Sequence, residues 1–511
     1  MENPASLFGI PHLVSWIVLT PLIGLVIVGF LPVRAGGRHV EAIRWVTLGV
    51  TLLTLGLAVG LWVSFDHTAG GPQFVDRVEW IPTVGTQYAV GVDGISLLLV
   101  LLTAFLVPLC VLGSWRSIAT NVKAFMMLIL LVEGAVVGVF TALDAFLFFF
   151  FWEITMIPTY FMIAFWGGPQ RTQAAIKFVL FSLTGSLLLL VGILTLHHVG
   201  GTFDMLALMQ VEYAPKVQFW IFLALFLGFA IKVPMLLVHS WLAEAHSEAP
   251  TAGSVILSGL LLKMGAYGLL RFCLPMLPEA SAAFAPLIQW LSVLAILYGG
   301  AMALAQHDFK RLIAYSSIAH MGIVTLGIFG LNTQSVQGAV LQMVNHGITT
   351  GALFLVAGML YDRTHDRTIN NYGGLHQVMP RFAVVLSLFT VASFGLPGTG
   401  NFIGEFLVLA GTVSHSYLMV LLVLVGIVLG AAYMLGMFQR LVLGPVSAQS
   451  ATLHDLNRRE IACVIPLALA VFVIGLYPTV MLDLMHASVT TLVQDLAQVQ
   501  PLQITAVFTA P

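Results

Sequence analysis

The sequence predicts an all-α polytopic membrane protein with about fourteen transmembrane helices. Of its 511 residues, 59% are hydrophobic and 8% are charged, whereas soluble domains carry about 25% charged residues. Apolar runs of roughly 20 residues, the length that spans a bilayer, recur along the whole chain. The connections between these runs are short, which predicts one membrane domain and no appended soluble domain.

The apolar runs give the approximate position of each span in chain order. The predicted spans are 12–32, 42–64, 93–113, 122–141, 143–166, 172–198, 217–240, 251–273, 281–305, 311–331, 334–361, 381–411, 416–440 and 460–486. The longest polar connection, 65–92, joins the second and third spans. The single domain, 1–511, is predicted to contain N-terminal helices in 1–120, a first repeat in 121–273, a second repeat in 281–443, and helix fourteen with the C-terminal tail in 455–511.

Two of the predicted helices are broken. In helix seven, Pro234 follows Lys232, and a proline inside a helix removes a hydrogen bond and clashes with the preceding turn. In helix twelve, the sequence GLPGTGN (395–401) precedes Glu405. Five helices separate the two breaks, and this odd offset inverts the direction of crossing. Helices 4–8 and 9–13 are therefore predicted to be two inverted five-helix repeats, an arrangement typical of transporters with an ion site at the broken helices.

The positive charges predict the orientation of the chain. If the first helix starts outside, about fifteen of the 20 Lys and Arg residues fall in connections on the inner side and about three on the outer side. This bias predicts that both termini lie on the outer side. The count places Lys177 and Lys310 in inner connections and Arg271 in an outer connection.

Ionisable residues inside the apolar runs are the candidate functional residues. They are Glu133, Glu153, Lys232, Lys263 and Glu405. A charge at membrane depth costs roughly 2.5–3.5 kcal/mol on insertion scales, so such residues mark functional sites by default. We interpret Glu153 and Lys232 as a pair that holds or releases a proton as it closes or opens, and Lys263 and Glu405 as storage and exit sites. The alternative is a static ion pair that locks helices together.

Four histidines extend this set. His239 and His246 lie beside the break in helix seven, and His320 and His346 lie within helices ten and eleven. Histidine titrates near neutral pH and can pass protons, so these residues and Glu133 are candidate relay groups. For any single histidine, a hydrogen-bonded structural role is the competing interpretation. Haem ligation by two of them would leave the lysines unexplained.

Other sequence signals favour structural roles. Cys110, Cys273 and Cys463 lie far apart, without the spacing of a disulfide framework or a metal site. The glycines of 395–401 lack the preceding strand and the spacing of a nucleotide-binding loop. Asp93 and Asp144 lie at helix ends and are predicted to cap helices or to face lipid headgroups. No metal or cofactor site is predicted in this chain.

Five stretches of the chain resemble a known family. They are VDGISLLLVLLT (92–103), FFFFWEITMIPTYFMIAFWG (148–167), KVPMLLVHSWLAEAHSEAPTAGSVILSGLLLKMGAYGLLR (232–271), RLIAYSSIAHMG (311–322) and GLPGTGNFIGEFLVL (395–409). They are similar to the chain M family of proton-translocating NADH–quinone oxidoreductase, respiratory complex I, the bacterial counterpart of the fourth mitochondrially encoded membrane subunit. The resemblance covers all fourteen predicted helices and implies an antiporter-like fold.

The resemblance also implies roles for individual residues. Glu153 matches the family's helix-five glutamate, and Lys232 matches its helix-seven lysine. Lys263 matches the central helix-eight lysine, and Glu405 matches the terminal position in helix twelve. The related chains L and N and the Mrp-type antiporter subunits typically have lysine at this last position, so the glutamate favours chain M.

The resemblance implies a non-redox subunit of a translocating enzyme. FMN, iron–sulfur clusters and quinone are expected in other subunits, with no cofactor in this chain. The expected partners are the other membrane subunits, with an L-type and an N-type chain on either side, the lipid bilayer and protons, and no nucleic acid. The expected location is the bacterial inner (plasma) membrane, with both termini on the periplasmic side.

Three other functions compete with this one. The chain could belong to a related hydrogenase- or ferredoxin-linked complex, which the co-purifying subunits would reveal. It could be an Mrp-type cation/proton antiporter subunit, in which case the purified chain would exchange ions in liposomes. It could be a passive spacer, in which case neutralising Glu153 or Lys232 would leave pumping intact.

Overall fold

The predicted class, a polytopic helical membrane protein, is confirmed. A computed structural model describes residues 10–32, residues 37–497 and Leu502. Within this part of the chain, thirteen helices are long and apolar enough to cross a membrane. Two shorter apolar helices, Pro380–Ser393 and Gly400–Val413, follow one another and replace the single predicted span 381–411. A total of fourteen crossings, which requires that this pair crosses once, stays a prediction, as do the domain boundaries and the inverted repeats.

The helices are labelled in chain order. They are α1 (Leu13–Phe30), α2 (Gly37–Ser64), α3 (Gly94–Ser117), α4 (Val122–Thr141), α5 (Ala145–Trp166), α6 (Arg171–Gly200), α7 (Pro215–Lys232), α8 (Ser240–Glu248), α9 (Thr251–Met276), α10 (Pro278–Leu304), α11 (Phe309–Ile328), α12 (Thr333–Thr364), α13 (Pro380–Ser393), α14 (Gly400–Val413), α15 (Tyr417–Val442), α16 (Arg458–Leu476) and α17 (Thr479–Ala497). Short helical turns lie at Met205–Leu208, Ile369–Asn371, Leu375–Val378 and Ser450–Thr452.

The centre of the bundle is formed by α9 and α12. The apolar windows of both helices are completely buried within the protein, whereas α1, α2, α6, α15 and α16 each bury less than half of theirs. The outer helices therefore present apolar side chains to lipid or to neighbouring chains, and the central pair is shielded from both. Lys263 on α9 and His346 on α12 consequently lie in the interior of the protein.

The first break separates α7 from α8. Lys232 ends α7, and Pro234 lies in the turn that follows. Leu237 in this turn has a φ of 84°, a left-handed conformation that is strained for leucine. The indole nitrogen of Trp241 donates to the carbonyl oxygen of Ile231 at 3.0 Å, so a carbonyl released at the end of α7 keeps a partner. The predicted break in helix seven is confirmed.

The second break separates α13 from α14. Ser393 ends α13, and Gly395 and Gly398 follow with φ values of 75° and 93°, which glycine adopts at little cost. The amide of Asn345 donates to the carbonyl oxygen of Gly400 at 2.7 Å, which ties α14 to the central helix α12. The predicted break before Glu405 is confirmed.

The connection 65–92 contains a β-hairpin that the sequence analysis did not predict. Strands β1 (Gln73–Ile81) and β2 (Thr86–Val92) pair in antiparallel fashion. The side chain of Asp76 on β1 accepts a hydrogen bond from the Ser15 hydroxyl at 2.6 Å, which anchors the hairpin to α1. We call the end of the bundle that carries this hairpin the hairpin face. As predicted, Asp93 caps α3 and Asp144 caps α5.

The last predicted span, 460–486, is wrong. The chain instead forms α16, which ends at Leu476, and a separate helix α17. Pro478 is the reason, because a proline disfavours helical geometry in the preceding residue, here Tyr477 with φ −129° and ψ 61°. Of the predicted tail after α17, only Leu502 lies within the described residues, and its backbone N–H donates to the Glu279 carbonyl oxygen at 3.1 Å.

Candidate proton-transfer site

Lys232 lies between two aromatic rings at the end of α7. Its side chain is only 3% exposed. The Nζ atom is 5.4 Å from the ring centroid of Trp152 on α5 and 5.6 Å from that of Phe178 on α6. Cations at such distances are attracted to the ring faces by about 0.5–2 kcal/mol. The aromatic rings therefore partly replace the water that this ammonium group lacks.

Glu153 lies near Lys232, but the pair is open. The Glu153 carboxylate is near enough to act on the charge of Lys232, but the charged atoms are not within 4.0 Å of each other and form no ion pair. The buried Oε1 atom of Glu153 has no hydrogen-bond partner. Glu153 is the residue after Trp152, so the helix that supplies the aromatic contact also carries the carboxylate. The structure thus places the two predicted partners near each other but without an ion pair between them.

A second ion pair lies beside the same break and was missed by the sequence analysis. Lys177 on α6 and Glu244 on α8 are 2.6 Å apart, and both are partly exposed. The count of positive charges placed Lys177 in a connection, but the residue lies inside α6, as the predicted span 172–198 implies. Glu244 follows Pro234 by ten residues in a stretch that also holds His246 and Glu248, so no local signal singled it out.

Lys263 is fully buried at the centre of the bundle. Its Nζ atom lies 2.6 Å from Nδ1 of His346 on α12 and also donates to the carbonyl oxygen of Ser258. Ser258 belongs to a π-helical segment of α9, Leu257–Leu261, and a second π segment, Leu269–Cys273, follows Lys263. Such segments occur frequently at functional sites in helices. No local sequence pattern signalled them.

His346, His320 and Glu405 continue from Lys263 as a row of buried groups. The rings of His346 and His320 have centroids 5.5 Å apart. The Nε2 atom of His320 donates to the Ser393 carbonyl oxygen at 2.9 Å and lies 3.9 Å from Oε1 of Glu405. The spacing leaves two gaps, one between the two rings and one between His320 and Glu405, whose 3.9 Å separation is too long for a hydrogen bond. We call the four residues Lys263, His346, His320 and Glu405 the buried row.

The end of the buried row is shaped by the second break. The Gln342 side chain, which the sequence analysis missed, donates to Oε1 of Glu405 at 3.2 Å. A Cβ atom on Gly395 would lie 2.7 Å from Oε2 of Glu405. A side chain at this position would therefore occupy space that the Glu405 carboxylate needs. Two ring nitrogens in the row, Nε2 of His346 and Nδ1 of His320, have no hydrogen-bond partner.

The other three predicted relay residues are not joined to the buried row by a hydrogen bond or an ion pair. His246 is fully buried, with both ring nitrogens unpartnered and its ring stacked on Phe354 at 4.8 Å. His239 is partly buried and contacts the Tyr298 hydroxyl at 3.3 Å. Glu133 is fully buried and neither carboxylate oxygen has a partner. Their relay roles stay predictions.

Lys310 is a buried charge that the sequence analysis placed in a connection. Its side chain is 3% exposed, its Nζ atom donates to the Ala249 carbonyl oxygen at 3.0 Å, and the Tyr361 ring centroid lies 5.5 Å away. Lys310 is the second residue of α11, so hydropathy alone assigned it to the helix boundary. Only the packing of α11 shows that this first turn faces the interior.

The chain is similar to proteins of one family over nearly its whole length. A family model described as NADH:quinone oxidoreductase/Mrp antiporter matches residues 142–430, and one described as NADH-ubiquinone oxidoreductase chain 4, amino terminus, matches residues 77–138. NADH-ubiquinone oxidoreductase chain 4 of Arabidopsis thaliana is 43% identical, covering 94% of this chain and 97% of the relative. NADH-quinone oxidoreductase subunit M of Rhodobacter capsulatus is 42% identical, covering 95% and 97%. A chain of respiratory complex I from Thermus thermophilus with bound NADH has a TM-score of 0.87 at 32% identity, covering 94% and 99%.

Proposed function

Because this chain belongs to the family of NADH:quinone oxidoreductase subunit M and chain 4, we propose that it is an antiporter-like, proton-translocating membrane subunit of complex I. The observation that supports transport most directly is the buried row, in which Lys263 lies 2.6 Å from His346 and His320 lies 3.9 Å from Glu405. Every member of the row can bind and release a proton. A series of titratable groups through the core is suited to proton transfer and is more than packing requires.

Burial gives the row its chemistry. A buried ammonium and a buried carboxylate both lose their hydration, which brings their protonated and deprotonated forms closer in free energy. The proton on Lys263 can pass to Nδ1 of His346 at their hydrogen bond, and the imidazole can release a proton from Nε2 towards His320. Glu405 then accepts the proton at the second broken helix. Water molecules between the two histidine rings and between His320 and Glu405 would bridge the two gaps in the row.

The open Glu153–Lys232 pair is suited to control this transfer. At an effective dielectric constant near 20, closing an ion pair from roughly 8 Å to roughly 4 Å changes its energy by about 2 kcal/mol. Moving one charge across 100 mV requires about 2.3 kcal/mol, so the two quantities are of the same size. A change in this pair is therefore large enough to favour or oppose one proton step.

The rest of the assignment follows the same family. The chain is a component of an oxidoreductase complex, and we propose that within it this subunit is non-redox and holds no cofactor. NADH, FMN, iron–sulfur clusters and quinone then belong to other subunits. We further propose that it lies between an L-type and an N-type chain in a bacterial inner membrane, with both termini on the periplasmic side. The family model itself covers Mrp antiporters as well, and an independent antiporter would exchange cations as a purified single chain in liposomes.

The test is NADH-driven proton pumping by the intact complex carrying Lys263→Met. Methionine keeps much of the side-chain volume and removes the proton-binding group. Pumping should be lost while the complex assembles normally on a native gel. Lys216→Met, the same change at an exposed position in the first turn of α7, is the matched control and should pump normally. Normal pumping by Lys263→Met would refute the proposed path.

A further inference from the structure

A cavity at the hairpin face is not used by the path described above. Its volume is about 160 Å³, which has room for several water molecules. It lies where the N-terminus of α3 meets the end of α9 and one face of α17. Its polar lining consists of Asp93, Ser96, Tyr267, Arg271, Ser488, Thr491 and Asp495. A polar cavity of this size is suited to hold water next to the core.

Three of these residues form a connected cluster. Arg271 makes an ion pair with Asp93, in which the side chains are 19% and 4% exposed. The Nε atom of Arg271 also donates to the Tyr267 hydroxyl at 3.1 Å. That hydroxyl in turn donates to the backbone carbonyl oxygen of Phe140 at 2.9 Å. These three contacts connect Asp93 through Arg271 and Tyr267 to the end of α4.

Tyr267 closes the inner side of the cavity. It is 2% exposed, and its ring packs edge-to-face against Phe140 with centroids 5.3 Å apart. The guanidinium carbon of Arg271 lies 5.2 Å from the Tyr267 ring centroid, so Arg271 contacts both the ring and the hydroxyl of Tyr267. The buried Tyr267 ring therefore lies between the cavity and Phe140.

The cluster lies directly along the helix from Lys263. Tyr267 and Arg271 follow Lys263 by four and eight residues on α9. Residues four apart lie on the same face of a helix, with a rise of about 6 Å. Tyr267 therefore stands one turn from Lys263, between that lysine and the cavity.

We propose that Asp93, Arg271 and Tyr267 form a gate through which Lys263 exchanges a proton with the cavity at the hairpin face. This gives Lys263 an outlet of its own, separate from the route through His346, His320 and Glu405. The inference rests on the proposed function, since it requires that Lys263 carries a proton. The arrangement in this structure is the closed state of the gate.

The chemistry of the three side chains sets how the gate works. Arginine stays protonated in proteins, so Arg271 cannot carry the proton, and its fixed charge opposes a second positive charge nearby. While Arg271 is paired with it, Asp93 stays ionised. When Arg271 moves away, the Asp93 carboxylate can accept a proton. The Tyr267 hydroxyl passes the proton, because it can release its own proton towards Asp93 as it takes one from Lys263. Lys263 and Asp93 are then both neutral, and Asp93 returns to its charged form by releasing the proton to cavity water.

The first test measures protons pumped per NADH oxidised by the intact complex carrying Asp93→Asn or Tyr267→Phe. Asparagine caps helices as well as aspartate does, so Asp93→Asn removes the charge and keeps the cap on α3. Tyr267→Phe removes only the hydroxyl. Each variant should lower pumping at least about a hundredfold, the lower end of the range for a group that transfers a proton. Asp144→Asn is the matched control, because Asp144 caps α5 without an ion pair among the described residues, and it should pump normally.

The same series separates this inference from the proposed function. If Lys263→Met abolishes pumping while Asp93→Asn and Tyr267→Phe pump normally, the gate is refuted and the path along the buried row stands. If Lys263→Met pumps normally, the proposed function itself fails. If Asp144→Asn loses pumping as strongly as Asp93→Asn, loss of a helix cap explains the effect and the gate is refuted.

A second test does not depend on pumping. Ala142 lines the cavity and Ala135 lies in the core of α4, and both are buried in this structure. A membrane-impermeant thiol reagent should modify Ala142→Cys at least about tenfold faster than Ala135→Cys during NADH oxidation, because only exposed thiols react. The three native cysteines of this chain are buried, so their own contribution to the background is small. Equal, slow modification of both variants would show that the cavity is closed to water and would refute the gate.

Discussion

Neutralising Lys232 is the sharpest test of the open pair. We expect Lys232→Met to assemble normally, because methionine fits between Trp152 and Phe178, where sulfur–aromatic contacts are favourable. The substitution removes the charge that interacts with Glu153. At roughly 4–8 Å and an effective dielectric constant near 20, that interaction amounts to about 2–4 kcal/mol. If it controls the barrier of one proton step, pumping should fall about 30- to 1000-fold.

The assay is NADH-driven proton uptake into inverted membrane vesicles, with quinone reduction and native-gel assembly measured on the same preparation. Glu153→Gln and the double variant complete a cycle. If the two residues act as one pair, the double variant should lose no more pumping than either single variant, because the interaction can be removed only once. Pumping losses that multiply would show that the residues act independently. Normal pumping by Lys232→Met would refute the switch.

Three further predictions concern the buried row. Glu405→Lys should retain more pumping than Glu405→Ala in the vesicle assay, because a titratable group remains beside the second break; equal losses would contradict a protonation role. His346→Phe should abolish pumping and leave assembly intact, because phenylalanine fills the ring position without a proton-binding nitrogen, and normal pumping would show that the row is not the path. Gly395→Ala should lower the thermal midpoint of the complex, since a left-handed alanine costs about 1–2 kcal/mol and its Cβ would meet the Glu405 carboxylate. Gly49→Ala, where a Cβ meets nothing within 4 Å, is its control, and equal midpoints for the two variants would contradict this account.

Local signals were sufficient to find the two breaks and the residues beside them. Pro234 and the glycines of 395–401 disrupt helices wherever they occur, and Lys232 and Glu405 stand out because charge is rare inside apolar runs. The same reasoning treated the four histidines alike. The structure separates them, because it places His320 in the buried row and His239 beside Tyr298.

Charge near a helix end was the weakest part of the sequence reasoning. The count of positive charges assigned Lys310 and Arg271 to connections. Lys310 is instead buried against Ala249, and Arg271, inside the predicted span 251–273, makes a largely buried ion pair with Asp93. Hydropathy averages over many residues, so it cannot show whether the first or last turn of a helix faces water or the core. The hairpin in 65–92 was missed because a long polar connection between apolar runs gave no reason to expect strands.

The sequence by itself determined that the chain is a helical membrane protein, where two of its helices break, and which ionisable residues lie at membrane depth. These properties follow from transfer of side chains into lipid and from the backbone geometry of proline and glycine, which act locally. Only the tertiary structure decided which of those residues meet. Lys263 and His346 are 83 residues apart in the chain and form one hydrogen bond. Their contact depends on the rotation and packing of α9 against α12, and the hydrophobicity of either helix alone carries no information about its neighbour.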